Sequence, residues 1–170
     1  MGEICLLFGK LLVRDKSKFI EALRCVQSRS GCVIQALDAD KVACHRHLTF
    51  AAEKALLAFF EKRNIAKDLG VEILRYASGQ RQIERALCMG ISGDTDRVAV
   101  VVIFPKREEG DHQEMPDLSE IVELDGIECS FDEDALKAAF CITGEEIQAA
   151  GADRIPDLVI ERVALVDTYR

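Results

Sequence analysis

Positive charge is the first thing this chain lacks: 22 Lys and Arg face 30 Asp and Glu, for a formal net charge of −8. Broad, sequence-blind duplex binding draws its affinity from phosphate neutralisation, so that function class is excluded. A small local basic site is not, because binding depends on where charge sits. No apolar run approaches the ~20 residues that a membrane-spanning helix needs. The opening stretch MGEICLLFGKLL is interrupted by Lys10 and carries no small-residue cleavage site, so it reads as a first strand and not as a signal peptide. Glycine-rich phosphate loops of the dinucleotide or P-loop type are missing, and so is a GxSxG nucleophile elbow. No nucleotide cofactor is expected.

The cysteines also lack a pattern. Cys5, Cys25, Cys32, Cys44, Cys88, Cys129 and Cys141 are odd in number and contain no CxxC pair. Most lie in apolar runs. The expectation is buried, reduced thiols in a cytoplasmic protein. Metal binding would need a third ligand beside His45 and His47, and only His112 remains, in an acidic stretch. Cys44 beside His45 is a weak nucleophile pair, since sequence neighbours rarely form a dyad and nothing supplies an oxyanion hole. Neither a catalytic nor a metal-binding set is expected.

What is present is a globular composition, with 49% hydrophobic and 31% charged residues. The length of 170 residues suits one domain with its own core. Glu3 to Leu12 predicts a strand. Ser17 to Ser28 predicts a helix with Phe19, Ile20, Leu23 and Val26 on one face. Cys32 to Leu37 predicts a second strand. His47 to Lys62 gives the strongest helical spacing. Phe50, Leu57 and Phe60 fall partly off its main stripe, so the helix is either buried between layers or offers a second apolar face to a partner. Val71 to Ala77 predicts a strand and Gln80 to Met89 a helix. Arg97 to Phe104, nearly all β-branched or aromatic, predicts a central strand. Residues 106–117 form a charged loop, and Ile121 to Leu124 a weak strand. Ser130 with Glu133, and Thr143 with Glu146, fit capping boxes for two helices. Pro156 opens a last helix, and Val163 to Val166 returns as a strand. The fold class is α/β (α+β): a two-layer sandwich with a mixed central sheet and helices mostly on one face.

The stretch Tyr76 to Leu87, YASGQRQIERAL, concentrates chemistry. Read as strand, Ser-Gly turn and helix, it places Ser78 or Gly79 at an N-cap, with Gln82 able to bond back. Free first-turn amides would then make an anion site. Arg81 sits where the helix dipole disfavours a cation, and Arg75 and Arg85 add charge nearby. Both plain capping and contact with an anion or nucleic acid account for these residues.

The runs His47 to Ala55, Asn64 to Leu74 and Tyr76 to Ile83 closely resemble an archaeal subunit of the KEOPS complex, in the PRPK-binding protein family. The match is specific over about residues 42–90. It continues more loosely near 130–150 and in Glu161 to Asp167. The resemblance implies an α/β sandwich without enzymatic activity. It implies docking on the N-lobe of a small atypical kinase, promotion of that kinase's activity, and an indirect association with a threonylcarbamoyl-transferase subunit. It also implies capture of tRNA through the single-stranded 3′ CCA end, for threonylcarbamoyladenosine formation. Arg81, Ser78, Gly79, Gln82, Gln80, Arg85 and Arg75 are the expected RNA contacts, and Leu57, Phe50 and Phe60 the expected kinase contacts. A kinase-binding module without RNA capture and a small cysteine-dependent hydrolase are the competing readings.

Overall fold

The computed structural model describes residues 2–104, 114–127 and 131–168. Four strands form one sheet in the order β2-β3-β1-β4: β1 is Ile4–Leu11, β2 Val33–Asp38, β3 Arg97–Ile103 and β4 Val122–Leu124. Every pairing is antiparallel, so the expected mixed sheet is corrected. β3 lies between β1 and β2, as its β-branched run requires. Its side chains alternate between two cores. Ala99, Val101 and Ile103 enter one; Val98, Val100 and Val102 enter the other.

Helices lie mostly on one face, as expected. α2 (His45–Phe60), α3 (Leu69–Ala77), α5 (Glu133–Phe140) and α7 (Ile155–Leu165) bury their apolar sides against the first core. α1 (Lys16–Ser30) covers the second with Phe19 and Leu23. Its ends are capped at both sides: Asp15 accepts from the Lys18 amide, and Gly31 follows at φ 69°. α2 buries Ala51, Ala52, Ala55 and Ala58, and small side chains at those positions let α3 approach closely.

Several expected elements change. Val71 to Ala77 is not a strand but the body of α3. Asp68 caps it by accepting from the Val71 amide, and a Glu72–Arg75 pair spans one turn inside it. A seven-residue apolar stretch fits both periods, and capping together with a buried i, i+3 ion pair selects the helix. The expected helix from Gln80 shrinks to α4, the four residues Ile83–Ala86, followed by a 3-10 turn over Leu87–Met89. The Val163 to Val166 strand is also overturned. Pro156 opens α7 as expected, and that helix carries Val163 and then Val166 into the core. Thr143 and Glu146 do form a capping box, which starts α6 (Gly144–Ala150). Ser130 lies outside the described residues, and α5 is capped by Asp132.

His47 ties two of these helices together. It is fully buried. Its Nδ1 accepts from the Ala43 amide at 3.2 Å, so Nε2 carries the proton and donates to the Ala77 carbonyl at 2.8 Å. Burial lowers its pKa from 6.5 to about 4. The neutral form therefore belongs to the folded state, while the unfolded chain takes up a proton below 6.5. The stabilisation is full above pH 6.5 and is lost as pH falls toward 4. Between pH 7.5 and 5 we expect a loss of about 2 kcal/mol from this residue. Urea unfolding at both pH values checks it, since His47→Gln should flatten that difference; an unchanged pH dependence in the variant would assign the effect elsewhere.

Candidate functional site

The segment from Ala77 to Arg85 is a helix–turn–helix corner and not a strand-to-helix turn. Ser78 caps the C-terminus of α3, with its amide donating to the Leu74 carbonyl. Its hydroxyl is buried, donates to the Arg75 carbonyl at 2.9 Å and accepts from the Gln80 amide at 3.2 Å. Gly79 follows at φ 64°, and a Cβ there would lie 2.9 Å from Cβ of Arg162 on α7. Both the left-handed backbone and the close approach demand glycine. Gln82 is the N-cap of α4 and makes no side-chain cap bond, so the expected capping box between Gly79 and Gln82 is absent. A single-turn helix carries little dipole, which removes the expected helix-terminal anion site. Arg81, Gln82 and Arg85 are exposed, and Gln80 is half-buried.

Arg75 goes elsewhere. It is about 1% exposed and sits in a buried polar knot. Its Nε and Nη2 donate to Glu72 Oε1 at 3.0 and 2.8 Å, and Nη2 lies 3.5 Å from Asp167. Glu72, also fully buried, accepts from the Ala66 amide at 2.8 Å. The Arg75 guanidinium stands 4.2 Å from the centre of the Tyr76 ring, and the Tyr76 hydroxyl donates to the Asp167 carboxylate at 2.8 and 2.9 Å. Burial, aided by that acceptor, pushes the Tyr76 phenol up to about 12. Arg75 is thus a buried cation out of reach of the surface, with its Nη1 left without a hydrogen-bond partner among the described residues. Helical spacing, not strand alternation, turned it inward.

Along α2 the three expected partner residues separate by exposure. Phe60 is 83% exposed and Leu57 38% exposed. Phe50 packs half-buried on the core, with Lys54 Nζ 5.6 Å from its ring centre. Ile65, in the loop after α2, exposes about half its surface (49%). The C-terminal end of α2 therefore presents apolar surface that the core does not use.

Nearly the whole chain, residues 13–167, matches the family described as kinase binding protein CGI-121. The chain belongs to that family. A search of curated proteins returns no match. Membership of CGI-121 supports a kinase as partner.

Other expectations find their places around this CGI-121 scaffold. Of the cysteines that are described, Cys32 is buried, Cys5 and Cys44 are intermediate, and Cys25, Cys88 and Cys141 are exposed, so the expectation of mostly buried thiols is corrected. Apolar neighbours in sequence did not fix which helix face each thiol took. Cys44 precedes α2 in extended backbone, while the exposed His45 shares its Nδ1 with the Thr49 hydroxyl at 3.3 Å. Among the described residues no cluster of three His, Cys, Asp or Glu side chains is placed to hold a metal; His112 lies outside them. No described helix is long and apolar enough to cross a membrane.

Sequence reasoning missed Glu72, Tyr76, Asp167 and His47. The i, i+3 spacing of Glu72 and Arg75 carried a signal once the segment was read as helix. Asp167 had none, and neither did the bond from His47 to Ala77, because those partners are distant in sequence. Removing one member of the knot exposes its cost. Glu72→Ala leaves the Arg75 charge buried and poorly paired and should cost roughly 3–5 kcal/mol. Urea unfolding of Glu72→Met, Arg75→Met and the double variant should show the double costing less than the two singles added. Strict additivity would mean that the pair is not coupled.

Proposed function

We propose that this chain is a non-catalytic subunit of the KEOPS complex, which binds and activates the small kinase and captures tRNA through its 3′ CCA end. The kinase part is supported by family membership together with one observation, the exposed Leu57 and Phe60 at the C-terminal end of α2. The threonylcarbamoyl-transferase subunit would be reached through the complex. The chain itself is proposed to do no chemistry and to need no cofactor. Leu57→Glu and Phe60→Glu should leave stability within about 0.5 kcal/mol, since both side chains are exposed. Co-elution with the cognate kinase should be lost. Retained co-elution by both folded variants would place the kinase elsewhere; an unfolded Leu57→Glu would put Leu57 in the core.

The RNA part rests on the resemblance of Tyr76 to Ile83 and on the exposed rim that follows Gly79. Arg81 is the leading contact, with Gln80, Gln82 and Arg85 beside it. Ser78 and Gly79 shape the corner and are not offered as direct contacts. A CCA end presents unstacked bases and few phosphates, so stacking, base-edge bonds and a few charges suffice. An acidic chain can supply those locally. Arg81→Glu should lower tRNA affinity at least tenfold, about 1.4 kcal/mol, with kinase binding unchanged. Gel shifts with tRNA that has or lacks its CCA end decide the placement. Equal weakening toward both would make Arg81 a general phosphate contact.

A second reading, a kinase-binding module without RNA capture, is favoured by the burial of Arg75 and by the net charge of −8. In that case the wild-type chain would shift neither tRNA.

A further inference from the structure

The sheet ends on one side at β4, and among the described residues that edge has backbone groups without partners. The Leu12 amide donates to the Ile121 carbonyl at 3.0 Å, and the Asp125 amide to the Phe8 carbonyl at 3.3 Å. Backbone groups of residues 121, 123 and 125 therefore face β1, and alternation turns those of Val122 and Leu124 outward. The Val122 amide is spent on the Leu118 carbonyl at 2.9 Å. The Val122 carbonyl and both backbone groups of Leu124 are left pointing away from the sheet, with no strand beyond them among the described residues.

The side chains at this edge are apolar with acidic surroundings. Leu124 is 50% exposed and Leu12 49% exposed. With Leu118 and Val122 they line a shallow groove of about 540 Å³, whose charged lining residues are Asp117 and Glu123. The stretch 114–127 adds Glu114, Glu120 and Asp125 and contains no Lys or Arg. Lys10 stands opposite Glu123 on β1, and Arg97 is paired with Asp125. Lys10 and Glu123 form no ion pair among the described residues, so Glu123 joins Asp117, Glu114 and Glu120 in keeping a negative field over the groove. An edge guarded only against aggregation would carry charge without exposed leucines.

We propose that β4 is a docking edge for an extended, lysine- or arginine-bearing segment of a partner protein. The segment would add a strand beside Leu124. Its apolar side chain would cover Leu12 and Leu124, and its cations would meet Asp117 and Glu123. Charge selects this occupant. A second copy of the chain paired across Leu124 would set Glu123 and Asp117 against their own equivalents, in a molecule already at −8. RNA is disfavoured by the same field. The inference does not rest on the kinase or tRNA reading: it uses no residue of the α2 end or of the corner after α3, and α3 itself packs beside β2, at the opposite edge.

The test uses the full chain and an alternating valine–lysine octapeptide labelled for fluorescence anisotropy. A valine–glutamate octapeptide is the comparison. The lysine peptide should bind, weaken with salt and slow hydrogen exchange at the Leu124 amide; the glutamate peptide should not bind. Leu124→Pro removes the outward amide at an edge position that tolerates proline and should weaken binding at least tenfold. The double charge reversal Asp117→Lys with Glu123→Lys should transfer the preference to the glutamate peptide, and it serves if Leu124→Pro does not fold. Equal binding of both peptides, no binding of either, or a charge reversal without effect would overturn the proposal. Protection of the Leu124 amide that grows with protein concentration, without peptide, would assign the edge to a second copy instead.

Discussion

A buried guanidinium with a single tightly bonded acid is a demanding thing to place in a core, and Arg75 is placed so. Its charge is held by Glu72 from one side and by the aromatic face of Tyr76 and the carboxylate of Asp167 from the other. Taking those charges out of water costs several kcal/mol per ion, and only good geometry offsets it. The geometry fixes much else. Glu72 collects the amides of the loop that leaves α2; Asp167 brings in the end of the chain after α7; Tyr76 lies between them. The exit of α2, the whole of α3 and the C-terminal segment are therefore set by one polar knot. His47 adds a second tie from the start of α2 to the last carbonyl of α3.

This explains which parts of the fold were legible in the sequence. β3 was, because Val98 and the unbroken run from Val100 to Phe104 favour a strand and need both faces buried. α2 was, because sixteen residues sustain one period. The Thr143 box was, because its signal is local. α3 was not. Val71, Ile73 and Ala77 alternate well enough to imitate a strand, and the features that decide for a helix are a cap at Asp68 and a pair whose third member lies 92 positions later, at Asp167. The C-terminal Val163 to Val166 failed for a similar reason. Short apolar runs are ambiguous until their partners are known.

The candidate site inherited that error in a specific way. Once α3 is a helix, Ser78 and Gly79 finish one element and do not begin the next. Gly79 is then required by its positive φ and by Arg162, which is enough to account for it without a ligand. Arg75 moves from rim to interior. Arg81, Gln82 and Arg85 keep their exposure, because they follow the corner. What the sequence made legible was the location of the corner, and what it hid was the direction of each side chain.

If the rim after Gly79 does hold an RNA end, the change of backbone alters how it must do so. A helix N-terminus would offer a row of amides to a phosphate, with the dipole behind them. A one-turn α4 offers little of either, so recognition would fall to side chains: a guanidinium able to stack on a base and amides able to read its edges. Long side chains lose rotamer freedom on binding, which weakens affinity unless the backbone beneath them is already fixed. Here it is fixed. The corner is closed by the Ser78 hydroxyl, seated on α7 at Gly79, and continuous with the knot around Arg75. The same burial that withdraws Arg75 from the surface therefore makes the exposed residues beyond it a better-ordered surface for a partner.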